Sequence, residues 1–363
     1  MIKKLCLTGG PCGGKTTAMS YLSQKLSDRG FYPLFVPEAA TLLINGGISP
    51  REWGAQGFQT RVIQTILGLE ASFMEAARLR PDLNPVIICD RGLADSLAYA
   101  PEDIYLGALR SQGISSHVAA RDEHYDAVFH LVTAALGAES FYTLATNAAR
   151  LETPEEAVAL DRKTLAAWTG APHLRAIDNS TDFAGKLERL DREVCAALGV
   201  PVPLEIERKF VCAPVMLGSL PPDAQRITIE QAYLMSNKPS VEMRIRKRGQ
   251  HGNFTYYFTE KQHVGVGQRL ETERLITQAE YELRLAFKKP KTRVLHKQRI
   301  CFMWEHQYFE LDIVRQEDGT ELYLLEIELT DLAQSVSIPP FVHIEHDVTD
   351  DITYSNAHLA KVA

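Results

Sequence analysis

The sequence predicts two domains of different class: an α/β domain with a parallel sheet and helices on both faces over residues 1–200, then an α+β antiparallel β-barrel over residues 204–363. In the first part, short apolar runs alternate with longer amphipathic ones, as βα units do. A glycine-rich turn follows the first apolar run, which is where such sheets bind ligands. From residue 204 onward, apolar and polar residues alternate with a period of two in one segment after another, the pattern of half-buried antiparallel strands. Between the two parts, Gly199-Val200-Pro201-Val202-Pro203 interrupts any helix and reads as the linker.

Strands of the first domain are predicted at residues 4–7, 34–36, 85–89, 127–132 and 174–177. The opening residues superficially resemble a signal peptide, but their apolar stretch is short and runs straight into Gly9-Gly10-Pro11, so they read as a first strand. No apolar run reaches the roughly 18 residues of a membrane span. Cys6, Cys12, Cys89, Cys195, Cys212 and Cys301 lie far apart with no C-x-x-C pair, which predicts reduced thiols in a cytoplasmic protein and no zinc site. With 39 Lys and Arg against 46 Asp and Glu, the net charge of −7 argues against a nucleic-acid partner. A hydrophobic share of 45% is enough for ordinary cores and excludes a disordered chain.

The turn itself, Gly9-Gly10-Pro11-Cys12-Gly13-Gly14-Lys15-Thr16, fits G-x-x-x-x-G-K-[ST] between a strand and a helix that continues with Thr17. Glycines let the backbone point its N–H groups at phosphate oxygens, Lys15 reaches the terminal phosphates of a nucleoside triphosphate, and Thr16 can hold Mg²⁺ or Mn²⁺. Two carboxylates fall at strand ends nearby. Asp90, closing Val86-Ile87-Ile88-Cys89, suits a metal-holding role, and Arg91 beside it suits a phosphate. Glu38, closing Leu34-Phe35-Val36-Pro37, is a metal-shell carboxylate, a general base, or simply the cap of a following helix. Arg150 and Arg162 bracket a polar segment suited to a lid over phosphates or to surface salt bridges. Ile177-Asp178-Asn179-Ser180 sits where base contacts would fall. No N-K-x-D motif separates GTP from ATP.

Together with Val36-Pro37-Glu38-Ala39-Ala40-Thr41, Cys89-Asp90-Arg91-Gly92 and Ala176-Ile177-Asp178-Asn179, this turn resembles the P-loop ATPase domain of the nicotinamide-ribonucleotide kinase group and its relatives. The resemblance implies catalytic roles for Lys15, Glu38 and Asp90 around a bound nucleotide.

The second domain hides a segregation of charge. Residues 238–299 hold 15 Lys and Arg against 6 Asp and Glu, and residues 300–363 hold 2 against 13. Strand alternation aligns Glu205, Glu207 and Lys209 on one face, then Glu242, Arg244, Arg246 and Arg248; Thr259 and Lys261; Arg269, Glu271 and Glu273; Lys291 and Arg293; Glu310 and Asp312; Glu326 and Glu328. The opposite faces are apolar. Either the charged faces turn outward as a salt-bridged exterior, or they converge on a polar tunnel where carboxylates hold a divalent cation and Arg and Lys hold phosphate oxygens.

Glu205-Ile206-Glu207-Arg208-Lys209 matches the Glu-x-Glu-x-Lys hallmark of the CYTH superfamily, the triphosphate tunnel metalloenzymes, and Arg244-Ile245-Arg246, Thr259-Glu260-Lys261, Glu271-Thr272-Glu273, Lys291-Thr292-Arg293 and Leu325-Glu326-Ile327-Glu328 resemble it in order. That resemblance implies metal ligation by Glu205, Glu207, Glu326 and Glu328 with Asp312 near them. It implies phosphate contacts from Lys209, Arg244, Arg246, Lys261 and Arg293. The implied chemistry is metal-assisted hydrolysis of an inorganic or organic triphosphate, with Glu273 or a metal-bound water as general base.

A P-loop domain followed by a CYTH domain resembles fusions of the TRPL-translocation-defect type, which implies GTP binding and contact with phosphatidic acid or phosphoinositide headgroups. Three functions therefore stand as expectations: a triphosphate phosphohydrolase with a nucleotide site, a nucleotide-controlled binder of phosphorylated lipids, and a small-molecule or nucleoside kinase.

Overall fold

A computed structural model describes residues 2–139, 153–200, 206–238, 241–265, 268–305, 307–329 and 334–362. The chain divides into two compact units, Met1–Glu193 and Val194–Ala363. Arg150 and Glu205 lie outside the described residues.

In the first unit, β1 (Lys3–Thr8), β2 (Tyr32–Val36), β3 (Pro85–Asp90), β4 (Ala127–Leu131) and β5 (Leu174–Ile177) form a parallel sheet in the order β2-β3-β1-β4-β5. These are the five apolar runs of the sequence, shifted by no more than a residue or two at their ends. The chain leaves β1 first towards one edge and later towards the other, so a crevice opens at the carboxyl ends of the central strands. Helix Lys15–Asp28 follows β1 directly and buries Ala18, Leu22 and Leu26. Helix Pro50–Leu79 starts from Ser49, whose hydroxyl accepts the Arg51 N–H, and is broken at Gly54 (φ 68°). Beyond that break it packs Phe58, Val62 and Ile63 against Leu93, Tyr105 and Leu109. Helix Pro154–Trp168 begins with a capping box, in which Thr153 and Glu156 each accept the other's backbone N–H. This fixes the helix that delivers Asp161 to the glycine-rich turn.

The second unit is one antiparallel sheet of nine strands: β6 (Ile206–Cys212), β7 (Gln225–Leu234), β8 (Val241–Gln250), β9 (Asn253–Gly265), β10 (Gln268–Ile276), β11 (Leu295–Trp304), β12 (Gln307–Arg315), β13 (Glu321–Leu329) and β14 (Ile344–Asp347). Their order is β10-β9-β8-β7-β11-β12-β13-β6-β14. Residues directly opposite in the ladder share a face, and the register chains them together: Glu273 with Thr259, Thr259 with Arg244, Arg246 with Gln231, Arg299 with Asp312, Glu310 with Glu326, and Glu326 with Lys209. The charged faces therefore converge, as one of the two sequence readings expected. The other face is apolar, with Phe210, Ile300, Phe302, Phe309, Leu311 and Leu325 in one buried cluster.

Along the charged face there is a gradient. At one end, Val211, Tyr233, Leu295, Val314 and Leu324 pack with Val348 and Ala360, and with Tyr354 and Leu359 beside them. The C-terminal segment thus stoppers that end. Two residues further along each strand come Lys209, Lys297, Asp312 and Glu326, all buried or nearly so. Two more bring Glu207 and Glu328, towards solvent, the Glu328 residue being exposed.

Candidate functional site

The glycine-rich turn of the first unit is shaped by close backbone approach. A Cβ at Gly9 (φ 142°) would lie 2.2 Å from the Leu131 carbonyl oxygen, and one at Gly14 (φ 89°) would lie 2.7 Å from the Phe183 ring. Asp161 holds the turn from behind: its Oδ1 accepts the Gly10 N–H at 2.7 Å, the Thr133 N–H at 3.1 Å and His130 Nε2 at 3.1 Å. Burial pulls the Asp161 carboxyl up, but His130 and the two N–H groups outweigh it and keep it below its usual range. Thr133 donates to the Pro11 carbonyl and Ala134 N–H to the Cys12 carbonyl. The loop is therefore set before any ligand arrives, and the first N–H groups of helix Lys15–Asp28, which have no acceptor within that helix, face the crevice.

Around it the predicted side chains assemble. Arg91, itself in the left-handed region (φ 69°), donates through Nε to Glu38 at 2.8 Å and through one terminal nitrogen to the Gly9 carbonyl at 3.1 Å and Asp95 at 3.2 Å. Its guanidinium also lies 5.3 Å from the Tyr99 ring centroid. Glu38 occupies the backbone cap position of helix Ala39–Asn45 without a side-chain cap bond; instead it accepts from Arg91 and from the Thr41 hydroxyl at 2.9 Å. Burial raises its carboxyl, but Arg91 and Lys15 bring it below the ordinary value. Asp90 differs: burial raises it, Lys15 opposes, Glu38 adds to the rise, and the balance is upward. Its Oδ1 is buried without a hydrogen-bond partner. Lys15 is pulled down by burial and by Arg91.

A crevice of 1180 Å³ runs over this turn, lined by Lys15, Thr16, Thr17, Glu38, Asp90 and Lys186 among others. Lys186 was not expected from the sequence. It is 2% exposed, and its ammonium donates at 2.7 Å to both the Val132 carbonyl and Asn179 Oδ1. Asn179 spends its own N–H₂ on the Thr133 and Leu136 carbonyls, so it ties the loop after β4 in place. Arg162 does not line this crevice.

In the second unit the charges are mutually paired. Lys209 lies 3.0 Å from both Glu207 and Glu326, and these two partners raise its pKa against the downward pull of burial. Arg299 donates to Asp312 twice at 2.6 Å, to Glu326 at 2.8 Å and also to Glu310. Lys297 donates to Asp312 as well. Burial raises the Asp312 carboxyl, but Arg299 and Lys297 hold it well below the usual carboxylate range. Across the sheet, Glu273 accepts from Thr259 at 2.5 Å and Arg246 at 3.2 Å, with Arg244 at 3.7 Å. Lys261 stands opposite Glu242 in the register. Arg293 precedes β11 and gives its guanidinium to the Leu359 and Arg315 carbonyls, which clips the C-terminal segment to the sheet.

A family model described as an AAA domain matches residues 4–186, just over half of the chain. The chain belongs to that AAA family. No curated protein matches it. Among solved structures, two of NE1496, one titled an inorganic triphosphatase and the other a hypothetical protein, share 27% and 28% identity; they cover 44% and 43% of this chain and 95% and 97% of their own, with TM-scores of 0.33. PH1012 of Pyrococcus horikoshii OT3 shares 24% identity over 35% of this chain and 80% of its own, with a TM-score of 0.24.

The AAA domain fits a divalent cation on one observation, the orphaned Oδ1 of Asp90 lining the crevice beside Thr16. In the second unit no group of three or more metal-ligand side chains is gathered among the described residues, and Glu205 falls outside them. The residues that sequence reading missed in the AAA domain, Asp95, Asp161 and Lys186, act through the turn or the crevice wall and carry no motif of their own. In the sheet it missed Lys297 and Arg299, although both follow the same alternation that singled out Arg293. No helix among the described residues is long and apolar enough to cross a membrane.

Proposed function

We propose that the AAA domain binds a nucleoside triphosphate, ATP or GTP, and that the second unit binds and hydrolyses an inorganic or organic triphosphate on the charged face of its sheet. The observation that carries the second half is the register, which brings Lys209, Arg244, Arg246, Arg299 and the carboxylates Glu207, Asp312, Glu326 and Glu273 onto one face stoppered at one end. Its resemblance to the CYTH pattern at Glu205-Ile206-Glu207-Arg208-Lys209 points the same way.

In the AAA domain, Lys15 and the N–H groups of the turn hold the phosphates, and Thr16 with Asp90 would hold Mg²⁺ or Mn²⁺, which when bound screens phosphate charge. On the sheet, Lys209, Lys261, Arg244 and Arg246 grip phosphate oxygens and neutralise the charge that builds as the P–O bond breaks. The CYTH resemblance would assign a cation there to Glu205, Glu207, Glu326 and Glu328 with Asp312 near them, but the described ones are not gathered as a metal site, and Asp312 and Glu326 are paired with Lys297, Arg299 and Lys209. A water oxygen bonds to phosphorus, the bridging P–O bond breaks, and the water proton passes to Glu273, which Thr259 and Arg246 hold in place. Arg293 fits better as the clip for the C-terminal stopper than as a phosphate contact.

Phosphate release from tripolyphosphate, ATP and GTP with Mg²⁺ or Mn²⁺ tests this in wild type, Lys15→Ala and Glu207→Ala/Glu326→Ala. Tripolyphosphate turnover that survives Lys15→Ala and disappears in the glutamate variant is the expected result. Absence of turnover in the wild type would leave the sheet as a binding surface and remove the hydrolase reading.

A further inference from the structure

Asp95 sits on the short turn Leu93–Asp95 that follows β3, 3% exposed and outside the lining of the phosphate crevice. An ionised carboxylate accepts hydrogen bonds and donates none, and its two oxygens offer about four positions for donors. In Asp95 those positions are taken from several segments. Oδ1 accepts from the Thr8 hydroxyl and from an Arg91 terminal nitrogen at 3.2 Å, and Oδ2 accepts the Gly92 N–H at 2.8 Å and the Trp168 Nε1–H at 3.2 Å. Thr8 ends β1 next to the glycine-rich turn, Arg91 and Gly92 carry β3 past Asp90, and Trp168 ends the helix that delivers Asp161. This buried carboxylate therefore ties together the strand ends on which the phosphate turn and Asp90 are mounted.

Arg91, between Asp90 and Gly92, is the strained residue of that group. Its φ of 69° is unfavourable for a residue with a side chain and persists only where the surroundings fix it. Asp95 fixes it twice, through the guanidinium and through the N–H of the next residue. Those bonds also decide where the guanidinium goes. It is committed to Glu38, the Gly9 carbonyl and Asp95. The Asp90 carboxyl is raised by burial and pulled back by Lys15 and Arg91, so it lies within electrostatic reach of the same guanidinium. Yet Asp90 Oδ1 has no hydrogen-bond partner. An arginine turned onto Asp90 would form a charge-assisted bond there and occupy the position a cation needs. We propose that Asp95 is a positioning residue for the divalent cation: by holding Arg91 off Asp90, it keeps the Asp90 carboxylate open to the Mg²⁺ or Mn²⁺ that accompanies the nucleotide. The inference rests on nucleotide binding at the turn. Asp95 acts through Arg91 and not by contact with the phosphates.

Calorimetric titration of ATP and GTP into the full chain, in EDTA and then with Mg²⁺ or Mn²⁺, measures what the cation adds to nucleotide affinity in wild type, Asp95→Asn, Arg91→Gln and the double variant. Asp95→Asn keeps the size of the side chain and removes its charge. It should lower the cation's contribution about tenfold or more, while affinity in EDTA stays within about threefold. In Asp95→Asn/Arg91→Gln the guanidinium is gone as well, so the cation's contribution should recover to within about threefold of wild type. A role confined to stability gives no such recovery. An undiminished contribution in Asp95→Asn, or a double variant no better than the single one, would overturn the inference and leave nucleotide binding standing. If Asp95→Asn fails to fold by circular dichroism, Arg91→Gln and the double variant decide it: both should keep the cation's contribution, and a loss confined to the double variant would overturn the inference. A wild type that binds neither nucleotide would overturn the reading of the turn as well, and one whose binding the cation leaves unchanged would remove Thr16 and Asp90 as its cation site.

Discussion

The two units prepare for phosphate in opposite ways. In the AAA domain the donors are backbone N–H groups at a helix start, held by Asp161 and Thr133 before any ligand comes. The nearest guanidinium, Arg91, is already committed to Glu38, Gly9 and Asp95. In the sheet the donors are side chains, and they are bound to carboxylates of the same face, Lys209 to Glu207 and Glu326, Arg299 to Asp312 and Glu326. A ligand at the turn meets an open cradle. A ligand on the sheet must replace ion pairs, exchanging one set of charge partners for another. The first arrangement ties affinity to a few groups, whereas the second ties stability and binding to the same residues.

The largest effect expected from this contrast is on stability, in the sheet. Asp312→Ala leaves the cations of Lys297 and Arg299 buried without their main partner, which costs about 3–5 kcal/mol. Urea unfolding of the second unit measures it, and a loss below about 1 kcal/mol would break the contrast. Because Asp312 is held well below the usual carboxylate range, its contribution is complete above the unfolded value and is lost only as pH falls through the lower folded one.

A smaller effect, on binding alone, is expected from Lys15→Ala. Removal of one charge-assisted phosphate contact worth about 1.5–3 kcal/mol weakens nucleotide binding about tenfold to a hundredfold. The melting temperature of the ligand-free chain should stay within a few degrees, because the turn is held by Asp161 and not by Lys15.

The smallest effect is a pH dependence. Burial lowers Lys186 to about 8. As pH rises through that value the ammonium loses its proton in the folded chain, while an unfolded lysine keeps it to about 10.4. The folded state then binds fewer protons, so stability increases with pH across that window while attraction for phosphate decreases. Nucleotide affinity should drop a few-fold between about pH 7 and 9 in the wild type and remain flat in Lys186→Arg, as titrations at each pH would record. An equal drop in both would remove Lys186 from the crevice chemistry.

What sequence alone could read follows from the same contrast. Backbone sites advertise themselves, because a turn that must approach Leu131 and Phe183 so closely needs its glycines in consecutive places. Alternation likewise displayed the charged face, since each strand writes it with period two. The groups that lock these sites come from distant segments: Asp161 is 151 residues from Gly10, and nothing local marks it. In the sheet, β11 starts only at Leu295. Arg293 therefore falls outside the ladder and binds carbonyls, while Lys297 and Arg299 take the interior positions. The four residues of β14 are too few and too polar to stand out in the sequence.

We infer that the chain carries two separable phosphate sites built on these different principles. Calorimetric titration of ATP, GTP and tripolyphosphate into wild type, Lys15→Ala and Arg244→Ala/Arg246→Ala tests it most directly. Lys15→Ala is expected to weaken nucleotide binding about tenfold to a hundredfold and to keep tripolyphosphate binding, and the arginine variant is expected to do the reverse. Loss of both ligands in either variant, with the fold intact by circular dichroism, would contradict it.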